Sequence, residues 1–559
     1  MSLDFIVFIT FYFIAIISTI GFGLLFEKIF NLTDLKFNLG FTGISGLLFL
    51  IVYSYISHLF TSHGILHNFI INLIGLTSFF LLIKNKKKEE LKLSILIFII
   101  LFSCFLLFKT HDDFPYYHFP YTYHLTQNSL VFGTGLLNHG FRTPSSIFYL
   151  NSLFYLPLIK SNLFQIGALL ISGFSILSLL EDIKKNLKIK DIDKIFFLRL
   201  FSIIFILIFF YRLQEHGTDR SAQILILLFI IELFALSKNY NHFNIYSSKV
   251  IILFTLIIGL KLFFLLYFIF VIPIIYYFYK ANKTYLLGSI FKNKLFYLSL
   301  LSLTFYIFTY FANTGCLFYP VSISCFDSFS WSIPIDVVDK LKLHYENWAK
   351  AGSGVGYDNI DKENYVKFLN WLPNWLDKYF FNKVSDFLLG LIFLNFTLIL
   401  IFCKKNVKKY YSDTNYKLIY FIVLLLFVEW FFNHPALRYG GYAIIALMFF
   451  IPFSHIIDTF KSTENLDKKV FIIIIISFMI FSFRNFARIS KEVKIYNFDF
   501  LNKPYYYLDE SHYRIENRIL SMVEDYEKCL ENENNCNKEI GTKKIILRSG
   551  IYIITRDAQ

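Results

Sequence analysis

The sequence predicts an all-α polytopic membrane protein with about fourteen (12–14) transmembrane helices. Of its 559 residues, 56% are hydrophobic, and apolar runs of roughly 18 residues, the length that crosses a bilayer core, recur along most of the chain. The period-two alternation of outer-membrane barrel strands is absent. Basic residues cluster in short segments between the apolar runs, as in the cytoplasmic loops of helical membrane proteins.

Fourteen apolar segments are interpreted as spans. In chain order they are 5–26, 39–57, 67–83, 92–108, 162–180, 197–211, 223–237, 250–260, 262–279, 295–312, 385–403, 417–432, 436–453 and 469–484. The run 250–279 is too long for one helix and contains Lys261, so we expect two short spans with Lys261 at the turn between them. The first segment is long enough to be retained as a span rather than cleaved as a signal peptide.

The lysine distribution orients these spans. If the strongly basic segments are cytoplasmic, both termini lie outside the cytoplasm. The segments placed inside by this rule are 84–91, 181–196, 280–294, 404–416 and 454–468. The outer face then carries the loop 109–161, the turn 211–223, the loop 313–384 and the chain from 485 onward.

The same threading divides the chain into three regions. Residues 1–90 form a three-span segment, 91–484 form a transmembrane core that includes the two long outer loops, and 485–559 form a small extracytoplasmic soluble segment. The formal net charge of +14 comes largely from loop lysines, so we expect the lipid bilayer as a partner and no nucleic acid.

Two closely spaced cysteine pairs fall on the predicted outer face. Cys316 and Cys325 lie in the loop 313–384, and Cys529 and Cys536 lie in the C-terminal segment. Because that face is expected to be oxidising, each pair is interpreted as a local disulfide. A zinc site is the alternative, but neither pair has the Cys-x-x-Cys spacing.

The first candidate site follows the fourth span, where the chain reads KTHDDFPYYHFPYTYH. Asp112 and Asp113 are adjacent carboxylates, flanked by His111 and His118, at the point where hydrocarbon meets water. Ionisable groups at such a boundary are costly unless solvated or partnered, which favours a functional cluster. The alternative is a solvated loop just beyond a helix end.

The second signal is the short outer turn YRLQEHGTDRSAQ. It contains Glu215, His216, Asp219 and Arg220 between two spans, and Asp219 could supply a second carboxylate to the first site. The alternative is a hydrated turn held by an ion pair from Arg220 to Glu215 or Asp219.

The third signal is an arginine at the outer end of a span, in NHPALRYGGY. Arg438, followed by Tyr439, offers a fork of donors that matches phosphate oxygens. Lys261 is a second cation on the same predicted face. The alternatives are snorkelling to the interface, or an ion pair between Arg438 and Glu429.

Over residues 90–450 these motifs resemble the GT-C superfamily of integral-membrane glycosyltransferases, which use polyprenyl-phosphate-linked sugars. Asp112 or Asp113 in THDDFPYYH resembles the first acidic motif of that superfamily. Asp219 in EHGTDRS resembles the second acidic motif, and Arg438 in HPALRYGG resembles the arginine that binds the donor phosphate.

The resemblance implies an inverting transfer of a sugar to a hydroxyl group of a glycan or lipid acceptor. Asp112 or Asp113 is the expected base, with Asp219 as a further catalytic residue. The residues expected to bind substrate are His111, His118, Glu215, Lys261, Arg438 and Tyr439. The implied location is the bacterial inner membrane, with the active face toward the periplasm.

No resident metal or cofactor is expected, although Asp112, Asp113, His118 and Asp219 could assemble a divalent cation site. Two other functions compete: a transporter or flippase for a lipid-linked glycan, and an O-antigen ligase or polymerase. The predicted spans contain almost no Asp or Glu, apart from Glu232 and Glu429, which favours chemistry at the outer surface over ion-coupled translocation.

Overall fold

The computed structural model describes residues 2–83, 88–352, 361–404, 417–462, 464–505, 544–548 and 550–556. The protein is 77% helical and nearly all-α. The first ten α-helices are α1 (Leu3–Ile29), α2 (Leu39–His58), α3 (Ile65–Leu82), α4 (Lys88–Phe102), α5 (Phe119–Gln127), α6 (Ser146–Ser152), α7 (Ile166–Ile189), α8 (Lys194–Phe209), α9 (Asp219–Lys238) and α10 (Phe243–Leu260).

The second set begins after a 3₁₀ segment at Leu262–Phe270. It comprises α11 (Val271–Lys280), α12 (Tyr285–Ile290), α13 (Lys294–Thr314), α14 (Ile335–Lys350), α15 (Lys362–Tyr365), α16 (Leu372–Trp375), α17 (Ser385–Phe402), α18 (Lys417–Asn433), α19 (Gly441–Phe460) and α20 (Leu466–Tyr496). Lys261 itself is extended (φ −155°, ψ 112°), so the chain leaves the helical conformation where the sequence predicts a turn.

Eleven helical segments in the described part of the chain are long and apolar enough to cross a membrane. They are Leu3–Ile29, Leu39–His58, Ile65–Leu82, Ile166–Ile189, Asp219–Lys238, Tyr240–Leu260, Leu262–Lys280, Lys294–Thr314, Leu372–Phe402, Gly441–Phe460 and Leu466–Tyr496. The three other predicted spans coincide with α4, α8 and α18, which have 15, 16 and 17 residues. The protein is therefore a multi-pass membrane protein.

Small residues let the first three helices approach closely. A Cβ atom on Gly21 of α1 would collide with the backbone oxygen of Gly75 in α3, and one on Gly40 of α2 would collide with the backbone of Ser178 in α7. Such contacts are typical of helix packing in membranes, where apolar side chains gain little by leaving lipid. The N-terminal helices thus pack directly against the rest of the bundle.

A small three-stranded sheet joins distant parts of the chain on one face of the bundle. Its strands are β1 (Val131–Phe132), β2 (Lys544–Arg548) and β3 (Ile551–Thr555), in the order β1-β3-β2. Strand β3 pairs in parallel with β1 and antiparallel with β2, with Val131 and Leu547 both opposite Tyr552. The described C-terminal hairpin therefore lies on the same face as the loop that follows α5.

The loop after α13 belongs to this face too. Its predicted disulfide, Cys316–Cys325, is present, and Arg556 beyond β3 forms an ion pair with Asp327 at 2.8 Å. The second predicted pair, Cys529 and Cys536, lies outside the described residues.

Candidate functional site

Asp113 lies in an irregular segment between α4 and α5. A short π-helix at Phe114–His118 follows it, and proline stands in the first turn of that helix and of α5, where its missing N–H costs no intrahelical hydrogen bond. The Asp113 N–H donates to His111 Nδ1 at 3.0 Å, and Asp113 Oδ2 lies 3.9 Å from Arg438 Nη1. The neighbouring Asp112 is exposed and forms no ion pair with a described residue.

Two hydrogen bonds fix Arg438, one at its backbone carbonyl and one at its guanidinium. Its carbonyl oxygen accepts a hydrogen bond from Gln223 of α9 at 2.9 Å, and its Nη2 donates to the Tyr439 hydroxyl at 3.0 Å. Burial opposes the charged form, but Tyr439, Asp219 and Asp113 raise the pKa of Arg438 above its usual value. Arg438 is therefore a fixed cation that faces both carboxylates.

Asp219, the first residue of α9, forms an ion pair with Lys261. The Thr218 hydroxyl also donates to Asp219 Oδ1 at 3.2 Å. The Lys261 ammonium lies 5.2 Å from the centre of the Tyr439 ring, and the Arg438 guanidinium lies 4.9 Å from it. Tyr439 thus joins the Asp219–Lys261 pair to the Asp113–Arg438 pair.

His111 and His118 stack against each other with ring centres 5.5 Å apart. Burial lowers the pKa of both, and for His118 the neighbouring His111 lowers it further, so both rings are neutral near pH 7. Gly217 packs on this pair with φ +54°, and an added Cβ would lie only 3.1 Å from the His118 ring. The turn before α9 therefore needs glycine at this position.

Three of these side chains could hold a metal ion. One ligand atom from each of His111, Asp113 and His118 lies within 4.8 Å of the others. Two imidazoles and one carboxylate suit a divalent transition metal. Of the four residues predicted to bind a cation, Asp113 and His118 belong to this group, whereas Asp112 and Asp219 do not.

A cavity of about 30 Å³ lies beside the two histidines, lined also by Gln165 and Gln214. Gln165 Nε2 and Gln214 Oε1 are buried without a hydrogen-bond partner in the described part of the chain. A cavity of this size has room for ordered water that could pair with these two amides.

Glu215, which the sequence places among the substrate-binding residues, has other partners. Its carboxylate binds Arg488 of α20 and lies 3.3 Å from Arg212 Nη1. The alternative interpretation of this turn was an ion pair from Arg220 to Glu215 or Asp219. The Arg220 guanidinium lies instead 6.0 Å from the centre of the Tyr442 ring, and Arg220 forms no ion pair with a described residue. Glu429, the other proposed partner of Arg438, accepts a hydrogen bond from Asn433 at 3.1 Å.

Two residues of the site were missed from the sequence. Burial raises the pKa of the Tyr117 phenol, and the charges of Asp113 and Asp219 raise it further, so both carboxylates act on this side chain. Gln223 positions Arg438 through its amide nitrogen and accepts the Ala443 N–H at 2.9 Å. Gln223 could have been found from the sequence, because it is a glutamine inside the apolar run AQILILL and an amide in a span needs hydrogen-bond partners.

The fold and the site define a class: a multi-pass helical membrane protein with two carboxylates and two cations clustered at one face of the bundle. The chain belongs to the family described as Domain of unknown function (DUF8201), whose model matches residues 5–445. The matched range contains both carboxylates, Asp113 and Asp219, and both cations, Lys261 and Arg438. Neither a curated protein nor a solved structure matches the chain.

Proposed function

We propose that this protein is a GT-C-type inverting glycosyltransferase that moves a sugar from a polyprenyl-phosphate carrier to a hydroxyl group of a glycan or lipid acceptor. The single observation that carries the proposal is the Asp113–Arg438 contact, 3.9 Å between Oδ2 and Nη1, beside the Asp219–Lys261 pair. It puts a proton acceptor next to fixed cations, which is what displacement of a phosphate by a hydroxyl requires.

In the proposed reaction the acceptor oxygen attacks the anomeric carbon of the sugar and its proton passes to Asp113. A carbon–oxygen bond forms to the acceptor while the bond from the anomeric carbon to the phosphate oxygen breaks. The lipid phosphate leaves with the electron pair of that bond. Arg438 and Lys261 stabilise the negative charge that develops on the phosphate.

The neighbouring groups keep this arrangement in place. Asp219 binds Lys261 and so sets the position of that cation, and Tyr439 packs against both cations. His111 receives the Asp113 backbone N–H and holds the carboxylate next to Arg438. Asp113 serves as the base rather than Asp112 because only Asp113 contacts the cationic part of the site.

The proposal includes the finer topology, with fourteen spans, a bacterial inner-membrane location and the site at the periplasmic face. Single cysteines at Lys160, in the loop before α7, and Lys292, in the predicted cytoplasmic segment 280–294, test it. Both positions are exposed. In intact spheroplasts an impermeant maleimide should label the first and not the second; labelling of only the second would invert the assigned orientation.

The activity is tested with purified protein in liposomes that contain a panel of radiolabelled polyprenyl-phosphate sugars and a lipid extract as acceptor. We expect label in a new lipid or glycan product, loss of at least about 100-fold in rate for Asp113→Asn, and nearly full rate for the matched variant Asp112→Asn. Equal rates for both variants would refute the assignment of the base. Movement of the labelled donor across the bilayer without transfer would favour the transporter.

A further inference from the structure

Three arginines surround Tyr211 just after α8, on the same face as the candidate site but outside it. Arg484 and Arg488 come from α20, and Arg212 follows Tyr211 in the chain. We call these four residues the arginine cluster. The guanidinium carbons of Arg484, Arg212 and Arg488 lie 3.7, 5.5 and 5.9 Å from the centre of the Tyr211 ring. Stacking on an aromatic ring holds each guanidinium plane in a defined orientation.

The cluster carries an excess of positive charge. Two carboxylates lie nearby: Glu215 binds Arg488 and Arg212, and Glu492 accepts the Phe108 N–H at 2.6 Å. Three cations against two carboxylates leave at least one positive charge. Burial opposes ionisation of Tyr211, yet the arginines hold the pKa of this phenol below its usual value.

Donor groups in the cluster also remain open. Arg488 Nη1 is buried and has no hydrogen-bond partner in the described part of the chain. Arg484 donates to the Ile208 carbonyl at 2.7 Å but forms no ion pair with a described carboxylate. The Arg212 side chain is 46% exposed, which leaves the cluster accessible from outside. An anion that accepted from these donors would remove the cost of the unpaired buried group.

The cluster lies at the depth of lipid headgroups. A rise of about 1.5 Å per residue puts Arg484 about 27 Å along α20 from Leu466, close to the ~30 Å thickness of a hydrocarbon core. Apolar side chains next to it face outward, since Met479 and Phe483 are 64% and 76% exposed. The arginines therefore meet the headgroup region beside a surface that acyl chains cover.

We propose that the arginine cluster binds the phosphodiester of an anionic glycerophospholipid, whose acyl chains lie along the outward face of α20. The planar forks of Arg484 and Arg488 match phosphate oxygens, and the excess positive charge matches a headgroup of charge −1. The cluster and the Asp113 site share no residue. The lipid site is therefore independent of the proposed glycosyl transfer.

Lipid titration of the full-length protein, purified and delipidated in a neutral detergent, tests this inference through thermal unfolding. Phosphatidylglycerol should raise Tm in a concentration-dependent way, because a ligand that binds only the folded state stabilises it. Zwitterionic phosphatidylcholine and inorganic phosphate should have much smaller effects. Arg484→Gln, which breaks no ion pair with a described carboxylate, should require at least about tenfold more phosphatidylglycerol for the same shift, a loss of about 1.4 kcal/mol.

The matched control is Lys494→Gln, an exposed cation on the same helix, which should respond like the native protein. If Arg484→Gln fails to fold, Arg484→Lys takes its place, because lysine keeps the charge without the planar fork. Arg484→Lys should need more phosphatidylglycerol than the native protein for the same shift in Tm, but less than tenfold more. An unchanged response of Arg484→Gln, or of Arg484→Lys where only that variant folds, would overturn the site. So would equal shifts from phosphatidylcholine and phosphatidylglycerol. A shift from inorganic phosphate as large as that from the lipid would make it a site for a free anion.

Discussion

Arg438 Nη1 lies 3.9 Å from Asp113 Oδ2, although α5 to α18 separate the two residues in the chain. Tyr439 packs against Arg438 and against Lys261, which is bound to Asp219. Two carboxylates and two cations therefore form one electrostatic unit at the edge of the bundle. A change at any one of them alters the charge balance felt by the others.

Replacement of Arg438 should separate catalysis from folding. Arg438→Gln removes the cation that faces both carboxylates, and we expect a loss of about 10²–10³-fold in transfer rate, the usual cost of losing one preorganised group that stabilises developing charge. Arg438→Lys keeps the charge but not the planar fork and should be intermediate. The rate is measured in the liposome assay, with Lys340→Gln as an exposed control on α14.

Equal rates for Arg438→Gln and the native protein would show that Arg438 is structural. A large fall in Tm with an unchanged rate per folded molecule would lead to the same conclusion.

Much of the fold could be predicted because the bilayer imposes a length and a polarity on every span. The eleven long helices in the described part of the chain and the break at Lys261 follow from hydrocarbon runs and their interruptions. The predicted pair Cys316–Cys325 is close in sequence, so local spacing was enough to propose it. The total of fourteen spans stays a prediction, because α4, α8 and α18 are shorter than a full crossing.

The site could be predicted only in part because its contacts are long-range. The residue types indicated Asp113, Asp219, Lys261 and Arg438, but no local pattern shows which carboxylate meets which cation. Adjacent aspartates look equivalent in a sequence, and only the turn into the π-helix distinguishes Asp113 from the exposed Asp112. For Glu215, an expected substrate-binding residue, no local pattern shows the ion pair with Arg488, because Arg488 lies far along the chain in α20.

Gly217 should be the most sensitive glycine of the site. Gly217→Ala puts a Cβ in the left-handed conformation at φ +54°, which costs about 1–2 kcal/mol, and the new methyl group would lie 3.1 Å from the His118 ring. We expect a lower Tm and a lower transfer rate, because the histidine pair must shift. Thermal unfolding in detergent and the liposome assay measure the two effects.

Gly288→Ala is the matched control, since a Cβ on this α12 glycine has no atom within 4 Å and alanine favours a helix. It should keep or slightly raise the Tm. Equal behaviour of the two variants would mean that the turn before α9 adapts and does not hold the histidines.

Metal dependence should be weak. Asp113 is close to Arg438, and Lys261 is a second cation in the same unit, so a divalent ion at His111, Asp113 and His118 would add charge to a region that already has two cations for its two carboxylates. We expect the transfer rate to survive dialysis against a strong chelator. Metal analysis of the purified protein and of His118→Ala provides the check.

Two results together would contradict this expectation. The native protein would contain one equivalent of bound metal that His118→Ala lacks, and chelation would abolish its activity. His111, Asp113 and His118 would then be assigned as metal ligands.

Acid should destabilise the protein through its buried neutral histidines. Burial is the main cause that lowers the pKa of His124 and of His216 to about 3, and the positive charge of Arg220 contributes to the shift at His216. In the unfolded chain each binds a proton below about pH 6.5, whereas the folded protein excludes it until about pH 3. Stability is therefore complete above pH 6.5 and falls by about 1.4 kcal/mol per histidine per pH unit below it.

A series of Tm measurements from pH 8 to pH 4 tests this, with His216→Gln as the informative variant. His216 Nε2 lies 2.8 Å from the Phe210 carbonyl oxygen, and a glutamine amide, which reaches as far as Nε2, can donate to that oxygen without binding a proton in the unfolded state. The variant should lose less Tm than the native protein between pH 6.5 and pH 4. A native Tm independent of pH over this range would mean that the folded protein also accepts the protons. The His216 environment must then open to water more readily than its burial and its bond to Phe210 indicate.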